Sequence, residues 1–256
     1  MEPAMNSAIE PAMLAPSINP AEADFFGKLA ADWWNPRGSS AMLHRINPLR
    51  LGYIRAAALA RFGRAANDRY ALNGLRALDV GCGAGLVTEP LARMGASVTG
   101  LDAAADNIAV ARLHSEAGGL AIDYHGGSVE ALAASGAKFD LITCLEVIEH
   151  VADRTSFLAA LTSLLAPGGM LVMSTPNRTP LSYATLIVGA ERVVRNIPRG
   201  AHDWRRFMTP AELTAALADA SLLVTDLTGL TWRPVAGFAL GRDTSVNYLL
   251  SAVAAY

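Results

Sequence analysis

From Leu75 onward the chain alternates short apolar runs with helical stretches, and no other feature of the sequence restricts its fold so tightly. Strands are expected at Arg76–Val80, Ser97–Leu101, Ile122–His125, Phe139–Leu145 and Met170–Ser174. Between them helices are expected over Gly85–Arg93, Ala105–Ala117 and Asp153–Leu165. Asp153 should cap the last of these, Leu158, Leu161 and Leu165 form its buried stripe, and Pro167-Gly168-Gly169 ends it. A strand–helix–strand rhythm returns each strand parallel to the last, and a parallel sheet must be covered on both faces. The expectation is therefore a single α/β domain with a mostly parallel sheet. Closing strands at Leu222–Thr228 and Ser245–Leu249 bring the expected count to seven.

Helical additions flank this core. Residues 1–20, rich in Ala and Pro and without Lys or Arg, are expected as a disordered lead-in, not a secretory or transit peptide. Glu22–Trp34 places Phe25, Phe26, Leu29 and Trp33 at helical spacing. Asn47-Pro48 looks like an N-cap and first-turn proline opening a helix to about Phe62, with Leu51, Ile54, Ala58 and Phe62 inward and Arg50, Arg55 and Arg61 on other faces. Thr209-Pro210-Ala211-Glu212 reads as a capping box. Within one domain spanning 21–256, this divides the chain into N-terminal helices (22–65), a core (75–175), an insertion (181–203) and closing elements (209–250). A length of 256 residues, 52% of them apolar, suits one enzyme-sized domain. The net charge of -2 gives no general attraction to phosphate backbones, so no nucleic-acid partner is expected. Cys82 and Cys144 stand apart without metal-ligand spacing, which points to a reducing cytoplasm.

The first strand runs into Asp79-Val80-Gly81-Cys82-Gly83-Ala84-Gly85. Glycines between a strand and a helix let backbone N–H groups approach a ligand closely. The next strand ends in Asp102, where a carboxylate can accept both hydroxyls of a ribose, so an adenosine-bearing ligand is implied. A dinucleotide would require Gly-x-Gly-x-x-Gly; here the spacing is Gly-x-Gly-x-Gly, and Asp79 would repel a pyrophosphate while suiting an ammonium and a sulfonium.

These residues, with Pro167-Gly168-Gly169, resemble the class I methyltransferases, which implies a Rossmann-like fold and S-adenosylmethionine as cofactor. The resemblance narrows further. His44-Arg45-Ile46-Asn47-Pro48-Leu49-Arg50, Thr143-Cys144-Leu145-Glu146-Val147-Ile148-Glu149-His150, Ser174-Thr175-Pro176-Asn177-Arg178, Gly200-Ala201-His202-Asp203-Trp204 and Val246-Asn247-Tyr248 are similar to the O-methyltransferases of ubiquinone biosynthesis. That resemblance implies cofactor contacts at Arg50, Gly81, Asp102 and Leu145, beside Asp79, Gly83 and Gly85 of the loop, and places Ser128-Val129-Glu130 as a candidate border of the adenine. The implied reaction is methylation of a ring hydroxyl on a polyprenylated catechol or hydroquinone. A methyltransferase for another phenol, carboxylate or amine, or a membrane scaffold of a biosynthetic complex with a vestigial cofactor site, are the alternatives.

Glu146, Glu149 and His150 follow the fourth strand at the edge where such sheets bind ligands. A phenol of pKa near 10 must lose its proton to attack a sulfonium. His150 can act as base beside a carboxylate, or the three can hold Mg²⁺ or another divalent ion that acidifies a catechol; magnesium-dependent eukaryotic relatives of similar sequence imply the second. Structural capping is the third reading. His202 and Trp204 are candidates for bordering the substrate, while His114 and His125 receive no role. In Leu181–Arg199, apolar residues recur at helical spacing beside Arg192, Arg195 and Arg199, so this insertion is expected as an amphipathic basic helix. It suits a lid, a contact with anionic lipid on the inner face of a membrane, or both.

Overall fold

The computed structural model describes residues 17–38, 40–194, 203–233 and 237–255. Its centre is an eight-stranded sheet: β1 (Arg76–Val80), β2 (Ser97–Asp102), β3 (Asp123–Gly126), β4 (Phe139–Leu145), β5 (Leu165–Pro176), β6 (Leu222–Arg233), β7 (Gly237–Gly241) and β8 (Asn247–Ala254). The order is β3-β2-β1-β4-β5-β8-β6-β7. The first five strands pair in parallel and the last three antiparallel. The expected count of seven is one short because β6 runs on to Arg233 and returns as β7, a strand of five residues with a glycine at each end. Such short, glycine-bounded strands carry little periodic signal.

This order decides where a ligand can sit. From β1 the chain moves outward through β2 and β3, then crosses back to add β4 and β5 on the other side. The crossovers diverge between β1 and β4 and leave a crevice above their carboxyl ends.

Helices α3 (Thr88–Arg93), α4 (Ala105–Ala117), α5 (Val129–Ala134), α6 (Arg154–Leu164) and α8 (Pro210–Asp219) follow the strands. Asp153 caps α6 by accepting from the N–H groups of Thr155 and Ser156, and Thr209 with Glu212 forms the capping box of α8. The buried faces of these helices join Leu78, Ile142 and Leu171 of the sheet in one core, and Ile54, Ala58, Leu72 and Leu141 in another. Two expectations at the N-terminus require correction. Glu22–Trp34 is not continuous: α1 (Pro20–Gly27), capped by Asn19, stops before a 3₁₀ turn at Ala30–Asp32. Helix α2 opens at Ala41 and runs to Arg61, so Asn47-Pro48 lies inside it. Pro48 is on the exposed side, where water can serve the carbonyl it leaves unpaired. Asn47, instead of capping, donates its amide to the Leu86 carbonyl at 2.8 Å and ties α2 to the glycine loop. Arg50 faces inward and is buried, and Arg55 and Arg61 remain at the surface.

Residues 17–20, assigned to the lead-in, belong to the fold: the Ser17 carbonyl accepts the Ala152 N–H at 3.0 Å. The insertion opens as α7 (Pro180–Ser182) and continues to Val194 as π-helix, a rare winding that clusters at functional sites.

Candidate active site

The loop after β1 is organised by two carboxylates. Asp79 is buried under it and accepts hydroxyl hydrogen bonds from Thr88 and Thr143, each at 2.7 Å. Burial pushes its pKa up to about 6, against the lowering effect of those hydroxyls. Asp102, at the tip of β2, accepts the N–H groups of Gly83 and Ala104 at 2.8 Å and the Asn107 amide at 3.2 Å. Burial raises its pKa too, opposed by those bonds. Both carboxylates are where the sequence suggested, and each braces the loop.

The glycines divide in role. Gly81 (φ 68°) lines the cavity, and a Cβ there would fall 2.3 Å from Val147. At Gly83 (φ 53°) a Cβ would fall 2.6 Å from the Trp33 ring, which covers this position. Gly85 closes the turn, donating its N–H to Cys82 at 3.0 Å, and α3 begins only at Thr88. Gly83 and Gly85 therefore shape the loop while Gly81 faces the cavity.

That cavity, about 880 Å³, lies above the ends of β1, β2 and β4. Leu145, Ser128 and Val129 supply part of its wall, whereas Glu130 does not line it, and Ser128 also caps α5 through its hydroxyl. Its volume is within the range of cofactor pockets. Arg50 reaches it from α2, with Nη2 2.7 Å from Glu146 Oε1, while its buried Nε has no acceptor among the described residues. A buried guanidinium N–H with no acceptor beside a glycine loop fits the carboxylate of an amino-acid-bearing nucleoside.

Glu146 leaves β4 with φ 56°, a left-handed conformation costing a non-glycine residue roughly 1–3 kcal/mol. Its carboxylate accepts from Ser174 at 2.6 Å and from Asn247 at 2.9 and 3.1 Å, beside the Arg50 pair. The next residues turn tightly, with the His150 N–H on the Val147 carbonyl at 2.8 Å, and separate the cluster. Glu149 is buried and accepts from Thr175 at 2.9 Å; His150 Nδ1 meets Glu22 of α1 at 3.1 Å, with the Phe26 ring edge-on at 5.0 Å. The expectation that Glu146, Glu149 and His150 gather round Mg²⁺ is not met: they face three different neighbours. Among the described residues no three His, Cys, Asp or Glu side chains are placed to hold a metal ion. Burial pulls the His150 pKa down, but the Glu22 hydrogen bond and the charges of Glu149, Glu22 and Glu146 outweigh it, and the net shift is upward.

Glu22, Phe26, Trp33, Trp232 and Phe238 also line the cavity, contributed by α1, the 3₁₀ turn after it and the β6–β7 hairpin. Of these the sequence marked only Phe26 and Trp33, as aromatics at helical spacing, and nothing local tells which face meets the site; Glu22, Trp232 and Phe238 carried no signal of their own. Trp204 does not line the cavity; its indole donates to the Thr179 carbonyl at 3.0 Å and steadies the start of the insertion, where Leu181, Ala184, Thr185, Leu186 and Gly189 do line it. His114 stacks flat on Trp34 at 3.5 Å and pairs with the buried Glu89 at 2.5 Å, and His125 meets Asp123 at 2.7 Å. His202, Arg195, Arg199 and the side chain of Arg192 lie outside the described residues.

Residues 78–173, from β1 to within β5, match the family model for a methyltransferase domain. The chain is 49% identical over 239 residues to a ubiquinone biosynthesis O-methyltransferase of Cereibacter sphaeroides, covering 93% of this chain and 97% of the relative. This chain belongs to the ubiquinone biosynthesis O-methyltransferases. A relative of the same name from Methylobacterium sp. is 46% identical, covering 93% and 96% of the two chains. The fold alone is shared with magnesium protoporphyrin IX methyltransferase from Synechocystis solved with bound SAH, at TM-score 0.61 and 22% identity over 92% of this chain and 99% of that one. As an S-adenosylmethionine-dependent O-methyltransferase, the protein presents a single cavity in which Asp79–Cys82, Asp102 and Arg50 line one part. Another part of the cavity is walled by α1, the insertion and the β6–β7 hairpin.

Proposed function

We propose that this methyltransferase methylates a ring hydroxyl of a polyprenylated catechol or hydroquinone intermediate of ubiquinone. The observation that carries the reading is that one cavity joins the glycine loop, Arg50 and Asp102 to His150 and an aromatic wall. S-adenosylmethionine, when bound, supplies an electrophilic methyl group on a sulfonium. Arg50 would hold its carboxylate, Asp102 its ribose, and Leu145 would pack beside its adenine. The Glu22 carboxylate, 3.1 Å from His150 Nδ1, fixes the tautomer that carries its proton there, and His150 takes the phenol proton through Nε2. Glu146 holds Arg50 in place and Glu149 adds negative charge behind His150. Among the described residues the donor geometry does not suit a divalent ion.

No helix among the described residues is long and apolar enough to cross a membrane. A lipid-soluble acceptor then has to be met at the surface, and the insertion offers exposed Leu181, Tyr183 and Val188 beside the cavity, next to the basic run Arg192, Arg195 and Arg199. We read 181–199 as the contact with anionic lipid.

The test is methyl transfer to a soluble catechol analogue with and without EDTA, on the native protein and on His150→Ala. We expect transfer that survives chelation and falls at least a hundredfold in the variant. EDTA inhibition reversed by Mg²⁺ would return the ion to the mechanism, and no transfer at all would favour a scaffold. Cosedimentation with anionic liposomes that persists after charge reversal at Arg192, Arg195 and Arg199 would refute the lipid contact.

A further inference from the structure

The segment between α1 and α2 lies across the cofactor loop and is fastened there at several points. Trp34 donates its indole N–H to the Ala84 carbonyl at 3.0 Å and stacks on His114, which Glu89 holds in turn. The Trp33 carbonyl accepts from His44 Nε2 at 2.9 Å. These contacts turn the neighbouring Trp33 side chain inward. The benzo edge of Trp33 rests against Gly83, which itself donates to Asp102, so the indole continues the cavity wall from the ribose carboxylate. Trp33 Nε1 is buried and has no acceptor among the described residues. Nearly all buried donors in folded proteins are satisfied, and one left over at the wall of a ligand cavity marks where a ligand acceptor belongs.

We propose that Trp33 is a cofactor-binding residue whose indole N–H donates to an oxygen of S-adenosylmethionine or S-adenosylhomocysteine, with Trp34 as the anchor that presents it. This rests on the methyltransferase reading and extends the cofactor site to the N-terminal segment. The bond is neutral and directional, unlike the charged contact at Arg50.

The test compares the native protein with Trp33→Phe, which keeps an aromatic ring against Gly83 and removes the donor. Calorimetry with S-adenosylhomocysteine should show binding weakened roughly tenfold, the size of one hydrogen bond. In the ¹⁵N-indole spectrum of the native protein, the signal missing from the variant should move downfield when S-adenosylhomocysteine is added; this readout stands even if the variant folds poorly. Weakening toward S-adenosylhomocysteine but not 5′-methylthioadenosine assigns the acceptor to the amino-acid carboxylate, and weakening toward both assigns it to the nucleoside. Unchanged affinity in the variant, or a native Trp33 signal that stays still on binding, overturns the inference while leaving the cofactor reading intact. A native protein that binds no S-adenosylhomocysteine overturns both.

Discussion

Replacing Glu146 by Gln is expected to destabilise the protein by about 3 kcal/mol, and replacing Arg50 by Met in the same chain to recover much of that loss. Arg50 Nη2 lies 2.7 Å from Glu146 Oε1, with the two side chains 3% and 16% exposed. Removing one partner of a buried pair leaves the other charge uncompensated, at about 3–5 kcal/mol. The pair borders a cavity that water can enter, which favours the lower end of that range. A Gln amide would also turn an N–H₂ group toward the Asn247 amide that now donates to both Glu146 oxygens. For a chain of this size, about 3 kcal/mol corresponds to a Tm lower by roughly 6–12 °C. Urea unfolding of the native, Arg50→Met, Glu146→Gln and double variants forms a cycle with an expected interaction of about 2 kcal/mol. If the glutamine variant lies within about 0.5 kcal/mol of the native protein, or the two changes add, Arg50 and Glu146 do not support each other as argued.

Gly81→Ala sets a Cβ 2.3 Å from Val147 at φ 68°, so S-adenosylhomocysteine binding should fall by more than tenfold, with only partial recovery in a Gly81→Ala/Val147→Ala chain. Glu22→Gln removes charge that holds His150 above the ordinary histidine range; the acidic limb of the kcat profile should move to lower pH and the maximal rate should fall, with cofactor affinity unchanged. An acidic limb that stays in place would separate Glu22 from the base. Asp79 has a folded-state pKa of about 6 against 3.8 as its ordinary value, so its protonated form favours folding. That contribution is full below about pH 3.8 and is lost as pH rises through about 6. The stability difference between native protein and Asp79→Asn, followed by urea unfolding from pH 4 to 7, should change in that direction.

The α/β rhythm, the glycine loop, Asp79, Asp102 and the Asp153 and Thr209 caps were legible because each depends on neighbours within a few residues. Period, turn chemistry and capping are local properties, and here they agree with the fold. Leu145 and Ser128 were singled out by the resemblance alone; in the fold Leu145 ends β4 and Ser128 caps α5, and both line the cavity. Distant packing decided the rest. Helical spacing sets Arg50 only on a face other than the apolar stripe and does not reveal that α2 buries its charge against Glu146; the resemblance alone brought it to the cavity. The Glu146–His150 run suggested one ion, yet a left-handed residue at the start of a tight turn sends its side chains to α2, β5 and α1. Glu22 and Trp33 are far from the loop in sequence and reach the site only because α1 and the turn after it fold back over the sheet edge. What the chain encodes locally is the sheet and the cofactor loop; which charges meet and which aromatics close the cavity follow from contacts more than a hundred residues apart in some cases, such as Glu22 with His150.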